Sequence, residues 1–394
     1  MTLAEKTLRP RRGELSRFLV ETGAMSADWS ETFEAVDRAW FLPEMMWPFD
    51  MEAKTSVNVD RNADPEQWYR YADANVPITT QWDDGRHRGS APGRVPTSST
   101  SMPSVVMSML RDLDVREGMK VLEIGTGTGW NAGLLTHRLG HRLVTTVEVD
   151  EAVASAARNA LHKAGFRPTT VVADGLLGCP QGGPFERIIA TVGVRSIPYA
   201  WVRQSVPGGL IVAPWGTHYA NRDSVARLVV ADDGITASGR FTDPVEFMKA
   251  RTHRLQRARH DDYLPDGFPG DATTSVTTVT AHDAGFEDPL RHPFAFTAGL
   301  LVADCAHASS RRGAARSVWL YGLSDCSWAA VLFHDDQPES TVYQSGPRQL
   351  WDEVEAAYHW WRDQDRPDIS RFGLTLGPEG LSPWLDTREH PVGG

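Results

Sequence analysis

The residues best suited to chemistry lie in the run VLEIGTGTG, Val121 through Gly129. An apolar strand-like segment ends there and a helix-like segment begins. Gly125, Gly127 and Gly129 let the backbone approach a ligand closely. The N–H groups and positive dipole end of the following helix favour electron-rich partners. Thr126 and Thr128 add hydroxyls between the glycines, and Glu123 precedes the first glycine by two residues. Alone, such a loop is weak evidence, because nicotinamide and flavin proteins use a similar turn.

Two more acidic positions narrow it. Glu148 ends the next apolar segment, where a carboxylate can accept both hydroxyls of a ribose, and Val149 follows it. Asp174, Gly175 and Leu176 follow a third, where an acidic side chain can receive an adenine amino group. The set fits a nucleoside joined to a sulfonium amino acid, without a pyrophosphate. No Gly-Lys-Ser/Thr occurs, which excludes a phosphate-cradling P-loop. The plain alternatives are a tight turn for the glycines, a solvated strand end for Glu148 and a turn former for Asp174. A second cluster, Ser98, Ser99, Thr100 and Ser101, offers hydroxyls that can hold a carboxylate without neutralising it. Helix capping is its plain alternative.

These residues need a frame, and the chain supplies one. Pro103 can open a helix whose apolar face is Val106, Met109, Leu110 and Leu113. Strands are expected near 119–124, 143–149, 169–173, 187–192 and 210–214. Helices carry Leu134, Leu135 and Leu139, then Val153, Ala157 and Ala160 with Asp150 as cap, then 197–204. Strands alternating with helices predict an α/β fold, a doubly wound and mostly parallel sheet. Residues 1–50 read as helical, with Phe33, Val36 and Trp40 in register and Pro43 as the stop. Residues 51–97 read as irregular, a loop over a site or a linker. After about 250 the pattern becomes α+β: strands near 297–303, 317–322 and 326–333, a helix striped by Leu350, Val354, Tyr358 and Trp361, and strand-like ends at 372–376 and 381–385.

Composition bounds the rest. The chain has 394 residues and a formal net charge of -11, which disfavours nucleic acid and favours a cationic peptide, with solubility as the plain alternative. Cys179, Cys305 and Cys326 form no C-x-x-C pair, so no zinc site or disulfide framework is expected, and reduced thiols suit the cytoplasm. Residues 1–20 carry Lys6, Arg9, Arg11, Arg12 and Arg17 without an apolar signal core. The apolar run 294–303 is too short to span a bilayer and reads as a core strand.

Residues 99–215 resemble the protein-L-isoaspartate O-methyltransferase family. The matching pieces are Ser99-Thr100-Ser101-Met102-Pro103, VLEIGTGTGWNAGLL, TVEVDEAVASAA, VVADGLLGCP, PFERIIATVGVRSIP and VPGGLIVAPWG, with Ala39-Trp40-Phe41-Leu42-Pro43 similar to that family's N-terminal helix end. The resemblance covers roughly 1–250. It implies a Rossmann-like class I methyltransferase fold, S-adenosylmethionine as methyl donor, S-adenosylhomocysteine as product, Ser101 as the catalytic serine position and Ser99 in support. Ser98 and Thr100 are then substrate-binding. Glu123, Gly125, Thr126, Gly127, Thr128, Gly129, Glu148, Val149, Asp174, Gly175 and Leu176 are cofactor-binding, and no metal or membrane is involved.

The chain departs from the family pattern at Ser99, usually Thr, and Met102, usually Gln, and continues for about 140 residues past the sheet. That extension, ending in AAYHWWRDQDRPDISRFGLTLGPEGLSPWLD, resembles actinobacterial homologues found beside precursors of lanthipeptides, graspetides and imiditides. This subgroup implies methylation of an unmodified aspartate and closure to an aspartimide. The expected organisation is 1–97 covering the site, 98–250 binding the cofactor and 251–394 recognising substrate. An isoaspartate repair enzyme, a non-catalytic peptide-binding protein and, more distantly, a nicotinamide oxidoreductase are the competing readings.

Overall fold

The computed structural model describes residues 12–288 and 291–393. The basic opening at Lys6, Arg9 and Arg11 lies outside them. The described chain divides into two compact units that interleave in sequence. The first comprises the chain up to Val192, with Pro198–Ala213 and Val229–Ala237. The second comprises Gly193–Ile197, Pro214–Leu228 and Ser238 onward, so the division does not fall at one point near residue 250.

The opening of the first unit is helical only in part. Helices run over Arg12–Glu21 and Ser30–Ala35, with single turns at Ala27–Trp29 and Arg38–Phe41. The stretch read as irregular is instead ordered. Strands β1 (Met45–Asp50), β2 (Thr55–Ser56), β3 (Val59–Asp60), β4 (Ile78–Trp82) and β5 (Pro96–Thr100) pair antiparallel, and a helix at Pro65–Ala72 lies between β3 and β4. Its aromatics supply the reason: Trp47, Trp68, Tyr69 and Trp82 are buried, and a small core forms around Met46, Val59, Trp68 and Ile78. The strands are short and the β4–β5 register slips between Thr79 and Trp82, so no clean alternation survives in the sequence.

The rest of the first unit follows the expected α/β plan. Strands β6 (Val121–Ile124), β7 (Val144–Glu148), β8 (Thr169–Val172), β9 (Phe185–Ala190) and β10 (Ser205–Trp215) alternate with helices Trp130–Leu139, Glu151–Lys163 and Tyr199–Arg203. All pair parallel, in the order β10-β9-β6-β7-β8. The order reverses direction beside β6, the switch point where open α/β sheets hold ligands at the carboxyl ends of their strands. Asp150 caps the helix after β7 by accepting from Ala152 N and Val153 N, as its position implied.

Strands β11 (Asp223–Val230) and β12 (Ala237–Val245), unforeseen in the sequence, precede the second unit's main sheet. That sheet is antiparallel, of five strands: β13 (Thr273–Thr277), β14 (Cys305–Arg312), β15 (Ala315–Gly322), β16 (Trp328–His334) and β17 (Ser340–Ser345), in the order β13-β17-β16-β15-β14. Alternation along β15 separates two layers: Val318 and Leu320 face a core with Phe294, Trp351 and Val354, while Trp319 and Tyr321 face Tyr263 and Trp328. The segment expected as a strand near 297–303 is a helix, Phe294–Leu301. It is apolar all round because every side is buried, which erases the periodicity that distinguishes helix from strand. A helix at Leu350–Asp363 and a hairpin, β18 (Phe372–Gly377) with β19 (Gly380–Leu385), complete the unit.

Candidate active site

The glycine loop closes over the ends of β6 and β7. Gly125 has φ +94°, and a Cβ there would stand 3.1 Å from Thr191 Oγ1. Gly129 caps the next helix at φ +92°, where a Cβ would press on Leu161 and Ala157 at 3.3 and 3.4 Å. Both positions therefore require glycine. Thr191 Oγ1 donates to Gly125 O at 2.5 Å, binding the end of β9 to the loop.

The three acidic residues separate by environment. Glu148 is half-buried. Its Oε2 accepts from Gly127 N at 2.9 Å and its Oε1 from Val149 N and Asp150 N at 3.0 and 3.1 Å. Three of its roughly four acceptor sites are occupied, which fixes the carboxylate and leaves room for about one outside hydroxyl. Val149 beside it is 48% exposed, an apolar platform for a flat base. Asp174 is exposed and caps a turn by accepting from Leu176 N at 2.9 Å, so it is a turn former and an accessible carboxylate at once. Gly175 packs so closely on β6 that a Cβ would meet Ile124 Cγ2 at 2.5 Å.

Glu123 differs from expectation. It is wholly buried, accepting from Thr146 Oγ1 at 2.6 Å and Asn131 Nδ2 at 2.7 Å. Burial pushes its pKa up to about 7, partly opposed by those two hydrogen bonds. A group that touches a ligand is open to water without it, so Glu123 shapes the loop from beneath. Thr126 is likewise buried and bonded to Thr146 at 2.6 Å.

The hydroxyl cluster is divided by strand geometry. Successive side chains of β5 point to opposite faces. Ser98 and Thr100 turn inward, 8% and 3% exposed, and bond to Thr80 Oγ1 at 3.3 Å and Thr128 Oγ1 at 2.9 Å. They hold the strand rather than a substrate. Ser99 falls on the accessible face, and Ser101, just past the strand's end, is also half-buried; among the described residues the Ser101 hydroxyl has no hydrogen-bond partner. Helix capping does not claim it either: Met102 is the cap residue of helix Pro103–Leu113, without a side-chain bond, and Asn75 Oδ1 accepts from Ser104 N at 2.9 Å. The carbonyl of Ser99 lies 3.3 Å from where a Cβ of Gly127 would be, so the serine strand passes directly over the loop.

One residue that holds this arrangement escaped the sequence reading. Arg38 is buried and donates to the carbonyls of Ala74, Val76, Thr100 and Ser101 at 3.2, 2.9, 3.1 and 3.0 Å. Burial pushes its pKa down to about 9, opposed by Asp73, so it keeps its charge at neutral pH. Its signal was a lone arginine beside the apolar run 39–42. Gln81 also bridges the two layers, accepting from Thr97 Oγ1 at 2.8 Å and donating to Asp150 at 3.3 Å.

The family described as protein-L-isoaspartate(D-aspartate) O-methyltransferase (PCMT) matches residues 12–249. The chain belongs to this family. PCMT proteins are carboxyl methyltransferases that use S-adenosylmethionine. Among relatives, the protein-L-isoaspartate O-methyltransferase of Thermococcus onnurineus is 37% identical over 121 residues, 30% of this chain and 54% of that protein. That of Pyrococcus horikoshii is 35% identical over 142 residues, 36% of this chain and 64% of its own. The chain thus spans between half and two thirds of the length of these relatives. A solved protein-L-isoaspartate O-methyltransferase shares the fold at a TM-score of 0.55 and 20% identity, covering 95% of this chain and all of its own. The residues at this PCMT site fit the family's donor: a rigid glycine loop, a fixed carboxylate at Glu148, an apolar Val149 and an accessible Asp174.

Proposed function

We propose that the chain transfers a methyl group from S-adenosylmethionine to a side-chain carboxylate of a peptide or protein. The observation that carries this reading is the pairing of two unlike surfaces: Ser99 on the accessible face of β5 with Ser101 just past its end, held by Thr100–Thr128 over a loop fixed by Glu148. When bound, the cofactor supplies an activated methyl on a sulfonium. Glu148, Val149, Asp174 and the loop N–H groups hold its nucleoside. An aspartate carboxylate is ionised at neutral pH and is the nucleophile as it stands, so no general base is needed. Ser99 and Ser101 orient it by donating hydrogen bonds, which leave its charge in place. Alignment of this kind lowers a barrier by ~7–11 kcal/mol.

The finer reading names the substrate as an ordinary L-aspartate in a ribosomally made peptide, followed by a small residue. The next backbone nitrogen would then attack the ester carbonyl, its proton leaving with methoxide as methanol, and close an aspartimide. Ser99 and Met102, which replace the usual Thr and Gln, support this substrate. The C-terminal extension supports it less, since the solved relative covers 95% of the chain. The second reading, isoaspartate repair, is favoured by the names of the relatives. One assay separates them. Asp-Gly and isoAsp-Gly versions of one peptide are offered with S-adenosylmethionine, and mass spectrometry follows gain of one methyl and then loss of methanol. The finer reading expects the Asp-Gly peptide to be converted. Turnover of the isoaspartyl peptide alone establishes repair, and methylation of neither removes the transferase reading.

A further inference from the structure

The parallel sheet has two ends, and methyl transfer uses one of them. Residues 125–129, 148–149 and 174–176 follow the carboxyl ends of β6, β7 and β8. At the amino ends a cavity of about 360 Å³ opens, entirely within the first unit. Lys120 precedes β6, Arg142 and Leu143 precede β7, Thr169 opens β8 and Phe185 opens β9, and all five line it. Strands of this length, at ~3.3 Å per residue, set the two ends roughly 13–17 Å apart. The opening has a topological cause. An α-helix fills each of the crossovers β6–β7, β7–β8 and β9–β10, but β8 reaches β9 through a single turn at Gly175–Leu177 and a loop. Right-handed crossovers put that loop on the face opposite the helices that follow β6 and β7. A loop covers less of a sheet than a helix does, and Thr145, Thr169 and Val171, which share one face of β7 and β8, are left lining the space.

The lining is one-sided in charge. It holds two cations, Lys120 and Arg142, and no carboxylate. Among the described residues neither side chain makes a hydrogen bond or an ion pair, and Glu186 is engaged with the backbone, its Oε2 accepting from Lys120 N at 2.7 Å. The contrast is with the second unit, where the unexposed Asp223 is neutralised by Lys249, Nζ to Oδ2 2.5 Å, with Arg195 Nη1 3.4 Å from its Oδ1. Two hydroxyls accompany the free cations. Thr145 and Thr169 stand opposite each other in the β7–β8 pairing, and among the described residues neither hydroxyl has a hydrogen-bond partner. Leu143, Val171 and Phe185 supply apolar wall. Gly182 keeps the space open. A Cβ there would stand 3.0 Å from Phe185 Cζ, 3.4 Å from Thr145 Oγ1 and 3.5 Å from Cys179 Sγ. Its φ is not left-handed, so room, and not backbone conformation, calls for glycine.

We propose that this cavity binds a small organic phosphate monoester, its phosphoryl group held by Lys120 and Arg142 and its organic part against Leu143, Val171 and Phe185. Two cations match a phosphoryl dianion, whereas a carboxylate would leave one of them unanswered. The guanidinium fork and the two threonine hydroxyls donate to phosphoryl oxygens, which only accept. The volume falls within the ~300–1,000 Å³ of small-molecule sites. A nucleic-acid backbone does not suit the place, because the net charge of -11 repels a polyanion. Screening over ~10 Å at 0.1 M salt leaves a small ligand in the field of the two local cations. The proposal owes nothing to the transferase reading.

Calorimetry tests it, with S-adenosylhomocysteine added to fill the glycine-loop end of the sheet. Phenyl phosphate is compared with inorganic phosphate, benzoate and phenol. The expected result is one-to-one binding of phenyl phosphate, about tenfold or more tighter than that of the other three. Lys120 and Arg142 are exposed, so Lys120→Gln and Arg142→Gln keep the fold, and each should weaken phenyl phosphate about tenfold. Gly182→Ala should remove binding by filling the space. Inorganic phosphate or benzoate binding as tightly as phenyl phosphate overturns the proposal, the first by reducing the site to a surface anion contact. Absence of saturable binding overturns it too, as does unaltered affinity when both cations are replaced. If Gly182→Ala folds and still binds, the ligand is not in this cavity; if it does not fold, the charge variants decide alone.

Discussion

Within the first unit, two sheets build one site by opposite means. In the parallel strands β6 to β9 each functional residue sits at a strand's carboxyl end, and its place follows from its own segment. In the antiparallel strands β1 to β5 nothing is local. Ser99 pairs with Thr79, Ile78 with Thr100, and Arg38 reaches carbonyls at 74, 76, 100 and 101. The parallel half presents the donor site through backbone geometry, and the antiparallel half presents two hydroxyls through a buried cation. Precision of position needs a rigid turn in one case and a hub in the other.

If the hub reading is right, the largest effect comes from Arg38. Arg38→Met leaves four carbonyls without their donor and should destabilise the protein by about 3–5 kcal/mol, read by urea unfolding. A loss below 1 kcal/mol would show that the antiparallel layer stands without it.

The second effect is a pH dependence. Glu123 has a folded pKa of about 7, above its unfolded value, so its contribution to stability is present in acid and is lost as pH rises through 7. Relative to the unaltered protein, Glu123→Gln should gain roughly 2–3 kcal/mol between pH 5 and pH 8.5. Thermal unfolding across that range measures the slope. Equal slopes would mean that Glu123 is ionised beneath the loop throughout.

Third, Glu148→Ala should weaken S-adenosylhomocysteine binding by ~1–3 kcal/mol, through loss of a charge-assisted hydrogen bond and of the N–H groups' anchor. Unchanged affinity in calorimetry would remove Glu148 from the site.

The smallest effects test the division of the hydroxyls along β5 and just past its end. Ser98→Ala should cost about 1 kcal/mol of stability with little change in turnover per folded molecule. Ser101→Ala should do the reverse, lowering turnover several-fold while cofactor affinity and stability hold. If cofactor binding collapses in Ser101→Ala while turnover per bound cofactor persists, that serine is structural.

The same contrast explains what the sequence could tell. The run from Val121 to Gly129, Glu148 and Asp174 were legible because strand, glycine turn and helix follow one another without interruption. Ser98 and Ser99 could not be told apart, because the facing of a strand depends on register, and β5 takes its register from β4 through an irregular pairing. Glu123 looked like a ligand contact because spacing gives no depth. Phe294–Leu301 looked like a strand because uniform burial removes the pattern on which the distinction rests. Arg38 was invisible as a hub, since its four acceptors are brought to it by two segments distant in sequence, 74–76 and 100–101.

The interleaving of the two units bears on the order of synthesis. A chain leaving the ribosome presents residues 193–197 of the second unit before β10 of the first has been made. The first unit is not complete until Ala237 emerges, and its partner needs nearly the whole chain. At ~5–20 residues per second, some ten seconds or more of translation separate those two events. At the moment Ala237 emerges, Arg195 and Asp223 already exist but Lys249, twelve residues further on, does not. The nascent chain therefore holds an acidic residue, destined for a dry interior, without the lysine that will neutralise it. Closure of the second unit must wait for the lysine, a built-in sequence of assembly that a stop codon near residue 240 would leave unfinished.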